Sequence, residues 1–153
     1  GELGLLAADV PEKYDGLGNL SRLVKVFQQA TGIKVTLSYG EVPQFFNEKL
    51  EKIIYRLVQE GLTNSFRHGK ATEVLVSLHL HHNQGIELII KDNGCGTTVP
   101  TGGFGLTGIN ERVVEVNGEV KIYSKPGQGF TLQIWLPLPE ESDKDGALKN
   151  NHS

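Results

Sequence analysis

Leu57-Val58-Gln59-Glu60-Gly61-Leu62-Thr63-Asn64-Ser65-Phe66-Arg67-His68-Gly69 is the stretch on which the reading of this chain turns. It closes a long helical pattern and breaks it. Upstream, Leu50, Ile53 and Leu57 recur at helical spacing, the mark of a face turned toward a core. At about 100° per residue the same stripe next carries Glu60, Asn64 and Arg67, grouped within roughly 60°. Acid, amide and cation in succession cannot be buried dry, because each would lose its hydration with nothing in return. The stripe therefore predicts a pocket over the second half of the helix, holding something these groups coordinate. Glu60 and Asn64 are one turn apart, so their oxygens can share a cation. A carboxylate and an amide oxygen, with positions left for phosphate and water, suit Mg²⁺. Arg67 can neutralise phosphate oxygens. The plainer alternative is a solvated polar helix end.

Working outward, Leu17, Leu20, Leu23, Val24 and Phe27 predict an amphipathic helix over 17–30, stopped by Thr31-Gly32. Ile33, Val35, Leu37 and Tyr39 alternate as a strand, and Asn47 is a candidate N-cap for the long helix. Beyond it, Val74–Leu80 and Ile86–Ile90 read as two strands joined through Asn83-Gln84-Gly85. A helix over 105–116 ends at Asn117-Gly118 in the left-handed manner. Val120–Tyr123 and Phe130–Leu136 form a last hairpin, with Phe130, Leu132, Ile134 and Leu136 on one face and Thr131, Gln133 and Trp135 on the other. The order α-β-α-β-β-α-β-β, with two hairpins, predicts an α+β fold. It is a two-layer α/β sandwich: a mixed, largely antiparallel sheet of about five strands with three main helices on one face. Residues 1–14 read as a linker or the remnant of an upstream domain, 15–139 as one domain, and the polar stretch 140–153 as a disordered tail.

Composition narrows the function classes. The chain has 153 residues, with 15 basic against 18 acidic, which implies no bulk attraction to nucleic acid or anionic membrane. The single Cys95 rules out an internal disulfide framework and suits a reducing cytosol. No apolar run approaches the ~20 residues that span a bilayer. Glycine is the outlier, clustered in 94–108 and 127–129, where backbone is expected to approach something closely.

Two further islands carry candidate chemistry. Asp92-Asn93-Gly94-Cys95-Gly96 puts a carboxylate at a strand end before Gly-x-Gly. Such a group can accept from an exocyclic amine while a flat ring lies against glycine backbone, although Asp-Asn-Gly is also an ordinary turn. Gly102-Gly103-Phe104-Gly105-Leu106-Thr107-Gly108 opens a helix whose free N–H groups suit an anion, although a flexible linker has the same composition. It is not a P-loop, since no Gly-Lys-Ser/Thr follows. His79, His81 and His82 crowd one strand end, where a solvated end is preferred over a metal site, and Cys95 has no partner cysteine.

Taken in order, the islands resemble the Bergerat-type ATP-binding fold of sensor histidine kinases, type II topoisomerases, mismatch-repair ATPases and a heat-shock chaperone. Residues 55–68 look like the N box, 92–96 the G1 box, 103–113 the G2 box, and 124–131 the final glycine turn. The wording is most similar to sensor kinases of the nitrate-response and desaturase-control branch, over residues 17–138.

The resemblance implies ATP and Mg²⁺ as cofactors. It implies that Asn64 chelates the metal with help from Glu60, which also polarises the γ-phosphate surroundings, and that Asp92 binds the adenine amine. Gly94, Gly96, Gly103, Gly105, Leu106 and Gly108 would shape the nucleotide loops, Arg67 or His68 would touch phosphate, and Thr131 would support the adenine end. Phe130 stands where a threonine is common, and Gly69 where alanine is frequent.

A phosphoacceptor histidine followed by an acidic residue is missing: His68, His79, His81, His82 and His152 precede Gly, Leu, His, Asn and Ser. The expectation is a cytoplasmic catalytic half, inert to autophosphorylation alone. It would act on a separate dimerisation and phosphoacceptor domain with a response regulator downstream, without contacting nucleic acid or membrane; the parent protein could still be membrane-anchored. An anti-sigma-factor serine kinase and a non-kinase ATPase module of the same fold are the alternatives.

Overall fold

Strand alternation and helical periodicity each resolve into an element of the computed structural model, which describes residues 18–40, 48–68, 70–81, 84–96 and 106–138. The readings of 1–14, Asn47, Gly102, Gly103, Phe104 and Gly105, and the 140–153 tail lie outside these residues. In chain order the elements are α1 (Gly18–Thr31), β1 (Lys34–Tyr39), α2 (Glu48–His68), β2 (Glu73–His81), β3 (Gly85–Asp92), α3 (Leu106–Glu115), β4 (Glu119–Ser124) and β5 (Phe130–Pro137).

The five strands form one sheet in the order β1-β2-β3-β5-β4. β1 and β2 run parallel, as a strand pair joined through a crossover helix must, and every other pair is antiparallel. Period-two alternation decides which side is covered. Val74, Val76 and Leu78 of β2, Ile86, Leu88 and Ile90 of β3, and Leu132, Ile134 and Leu136 of β5 are all buried under the helices. Leu20, Leu23, Val24 and Phe27 of α1 close one flank, and Leu106, Ile109 and Val113 of α3 the other. Each fully buried aliphatic side chain contributes roughly 1.5–3 kcal/mol, so this shared core carries the fold.

The central helix α2 buries a wider arc than the Leu50–Ile53–Leu57 stripe. Ile54, Val58 and Leu62 are buried as well. A Cβ at Gly61 would come within 2.5 Å of Ile90 Cδ1, so α2 lies tight against β3 there. One turn further along the same face is Ser65, and two residues further along β3 is Asp92. Four helical residues rise about 6 Å and two strand residues about 6.6 Å, so helix and strand stay in step and Ser65 meets Asp92. At the other end of the molecule, α3 closes on Asn117 at φ 59°, with the N–H groups of Asn117 and Gly118 donating to the carbonyls of Val114 and Val113.

Candidate functional site

The polar residues of α2 divide between two neighbouring elements. Glu60 faces α3. Its Oε1 lies 3.0 Å from Arg112 Nη1, and Arg112 also donates to the Gly108 carbonyl one turn back at 3.1 Å. A Cβ on Gly108 would sit 2.9 Å from Glu60 Oε1, so the bare glycine is what admits the carboxylate between the helices. Asn64, one turn on, is 5 % exposed. Glu60 Oε2 and Asn64 Oδ1 are buried oxygens with no hydrogen-bond partner among the described residues. Native structures rarely leave such atoms orphaned, and two acceptors one turn apart on one helix suit donors or a cation.

Burial pushes the Glu60 carboxyl above its ordinary 4.5, against the pull of Arg112 and Arg56, with Glu111 adding to the rise. The folded chain therefore holds a proton that the unfolded chain has already released. Its stability falls as pH climbs from the ordinary carboxylate value through the raised one, then levels. Glu60→Gln removes that dependence. Thermal melts of the nucleotide-free protein between about pH 4 and pH 7 are expected to show the variant gaining on the parent as pH rises. A variant that loses ground to the parent as pH rises would contradict this.

The second centre is Asp92 at the end of β3, 4 % exposed. Its Oδ1 accepts from the Gly94 N–H at 2.9 Å and the Phe130 N–H at 3.1 Å. Its Oδ2 accepts from the Ser65 hydroxyl at 2.8 Å. Asn93 points the other way: its Oδ1 takes the N–H groups of Thr72 and Glu73, fastening the connection that leaves α2 to this strand end. The Cys95 carbonyl accepts from Gly127 N–H at 2.6 Å, tying the same loop to the β4–β5 turn. Gly94 is buried, and Gly96 adopts φ 65°.

Glu60, Asn64, Asp92, Gly94 and Gly108 are thus drawn onto the helix-covered side or the strand ends beneath it. Leu106 is the first residue of α3 and lies in the core. Arg67 is exposed in the last turn of α2. His68 ends that helix, but its side chain, like all of Gly103 and Gly105, lies outside the described residues.

Thr131 is placed elsewhere. Strand alternation turns it to the open face, in register with Lys91 and Tyr123, while Phe130 beside it points inward opposite Asp92. The contribution of β5 to Asp92 is a backbone N–H, not a threonine hydroxyl. Sequence patterns also missed Ser65 and Arg112. Ser65 is about 100° from the stripe of Asn64, and Arg112 meets Glu60 only through helix packing.

On the open face, His79 Nε2 lies 3.1 Å from Glu87 Oε1, and Gln133 donates to Glu87 Oε2 at 2.9 Å. His82 lies outside the described residues. No group of three or more His, Cys, Asp or Glu side chains arranged to hold a metal occurs among the described residues.

Comparison with known proteins adds independent findings. The family described as histidine kinase-, DNA gyrase B- and HSP90-like ATPase matches residues 49–140. The histidine-protein kinase/phosphatase DegS of Brevibacillus brevis is 38 % identical over 133 residues, covering 83 % of this chain and 34 % of its own. The oxygen sensor histidine kinase NreB of Staphylococcus carnosus is 34 % identical over 137 residues, covering 85 % and 39 %. This chain therefore spans little more than a third of the length of either relative. Among solved structures, the blue-light activated histidine kinase EL346 of Erythrobacter litoralis superposes with a TM-score of 0.66 at 21 % identity, over 84 % of this chain and 43 % of that one. At that identity the likeness speaks for the fold.

Proposed function

Since this chain belongs to the histidine kinase-, DNA gyrase B- and HSP90-like ATPase family, we propose that it is the Mg-ATP-binding catalytic unit of a two-component sensor kinase, comprising residues 15–139. The observation that carries this reading is a pair of buried oxygens, Glu60 Oε2 and Asn64 Oδ1, unpartnered among the described residues, on a helix whose next residue holds the Asp92 carboxylate. One helix thereby presents a cation-seeking end and an amine-accepting end side by side.

Asn64 and Glu60 would hold Mg²⁺, whose charge, when the ion is bound, offsets that spread over the transferring phosphoryl group. Glu60 also shapes the field around the γ-phosphate. Its carboxylate is held by Arg112 rather than aimed freely at a water, which favours phosphoryl transfer over hydrolysis. Arg67, exposed at the end of α2, is free to reach phosphate oxygens, with His68 beside it. Asp92 accepts the adenine amine, with Gly94 and Gly96 keeping the neighbouring backbone low, and Gly103, Gly105, Leu106 and Gly108 bring the start of α3 to the nucleotide. Catalysis then consists of presenting ATP in line to a histidine from a separate dimerisation domain, with a response regulator receiving the phosphoryl group afterwards. No helix among the described residues is long and apolar enough to cross a membrane. Cytoplasmic action, without nucleic acid or membrane contact by this unit, completes the reading.

Incubation with γ-labelled ATP and the parent kinase's dimerisation domain is expected to label that domain on histidine, giving an acid-labile, base-stable adduct, while the chain alone stays unlabelled. An acid-stable phosphoserine would transfer the assignment to a serine kinase of the same fold. Release of phosphate with no protein adduct would make the chain an ATPase module.

A further inference from the structure

We infer that Ser65 is a specificity-determining positioning residue, which makes the base pocket admit an amino-purine and reject a keto-purine. The inference rests on the reading of Asp92 as the group that meets the base.

A carboxylate offers about two acceptor positions on each oxygen. Both positions of Asp92 Oδ1 are taken, by the Gly94 and Phe130 N–H groups at 2.9 and 3.1 Å. One position of Oδ2 is taken by the Ser65 hydroxyl at 2.8 Å. A single acceptor position remains, in a direction set by the other three. It calls for one N–H donor.

Ser65 also determines what cannot enter. It is 2 % exposed, and its Oγ lies 3.2 Å from the Gly61 carbonyl as well as 2.8 Å from Asp92. Its single proton is better spent on the carboxylate, because a charge-assisted bond is shorter and stronger than one to a helix carbonyl that already serves the backbone. A hydroxyl so committed has no proton left for a keto oxygen on a base. A water in the same place would have two: one could go to Asp92 and the other to the keto group, bridging the carboxylate to a base that it otherwise repels. By filling that space with a one-proton donor, Ser65 keeps the carboxylate from accommodating the wrong base through solvent. The residue inward on β5 is Phe130, which offers the carboxylate only its backbone N–H, so among the described residues Ser65 is the side-chain hydroxyl bonded to Asp92.

The test compares ADP and inosine diphosphate, which share the phosphates and sugar and differ at the six-position, amine against keto, and at N1, which carries a proton only in the keto base. Affinities are measured by calorimetry on the full chain for the parent, Ser65→Ala, Ser65→Cys, Ser65→Thr and Asp92→Asn. The parent is expected to prefer ADP. Ser65→Ala is expected to lower that preference by about fivefold or more, mainly by improving the inosine nucleotide, while Ser65→Thr and Ser65→Cys, which refill the space with a one-proton group, are expected to keep it. A purely structural serine would change both affinities alike and leave their ratio in place, so an unchanged ratio in the alanine variant, or in Ser65→Gly should alanine not fold, overturns the inference. If the parent shows no preference, or Asp92→Asn keeps it, the base-site reading itself falls and Ser65 with it. If Asp92→Asn loses the preference while Ser65→Ala keeps it, only the role of Ser65 is lost. Ser65→Gly vacates the same space for water and is read in the same way, so the test survives an alanine variant that fails to fold.

Discussion

Asn64→Ala is expected to make the nucleotide-free protein more stable and to abolish its metal-dependent nucleotide binding. The two effects have separate causes. Asn64 Oδ1 is a buried acceptor with no partner among the described residues, and such an atom costs roughly 1–3 kcal/mol of desolvation. Alanine removes it and is also the better helix former by about 0.5 kcal/mol. Against these gains stands only the packing of a short side chain, so a net increase of about 1 kcal/mol is expected, which raises the melting temperature by a few degrees. Binding moves the other way. If Asn64 is a direct ligand of the cation, the Mg²⁺-dependent part of ATP affinity should fall by at least about 100-fold, since even the outer partners of metal ligands are worth 10- to 100-fold. Calorimetric titration of ATP with Mg²⁺ and with EDTA, beside thermal melts of the free protein, reads both. A variant that still binds Mg-ATP like the parent would end the metal assignment.

Gly129→Ala has the larger structural cost. Gly129 lies at φ 82°, a conformation that costs an L-residue about 1–2 kcal/mol. The added Cβ would also stand 2.1 Å from the Asp92 carbonyl oxygen, far inside van der Waals contact with a backbone atom that cannot rotate away. The start of β5 must therefore shift, taking with it the Phe130 N–H that donates to Asp92. A loss of more than about 3 kcal/mol is expected, or about 10 °C in melting temperature, with ADP and ATP binding weakened together. Gly127→Ala is the control. Its φ is 76°, but nothing lies within 4 Å of the new Cβ, so it should cost about 1 kcal/mol and leave nucleotide affinity intact. Equal losses in the two variants would show that conformation, not the approach to Asp92, governs the turn.

Much of the candidate site was legible because its signals are local. The stripe through Leu50, Ile53 and Leu57 marks an inward face, so the acid and amide that continue it had to be buried or bound. The same parity argument applies to β3: Ile86, Leu88, Ile90 and Asp92 share one face, which places the carboxylate on the core side. Thr131 shows where reading stops. Its alternation against Phe130 and Leu132 was visible, but that this turns it away from Asp92 follows only once β5 is known to lie beside β3 with the helices on the other side.

The sequence by itself determined the elements, the helix-covered face of each strand, the family likeness and the polar break in α2, because each depends on spacing along a few neighbouring residues. The tertiary structure alone decided the strand order and the placing of Phe130 opposite Asp92. It also decided the step-for-step packing that carries Ser65 to the same carboxylate, and the closure of α3 that gives Glu60 its Arg112 partner. Those contacts join residues 27 to 52 positions apart. No local period encodes such pairings; they arise only when α2, α3 and the sheet bury their apolar faces together and bring their polar residues into register.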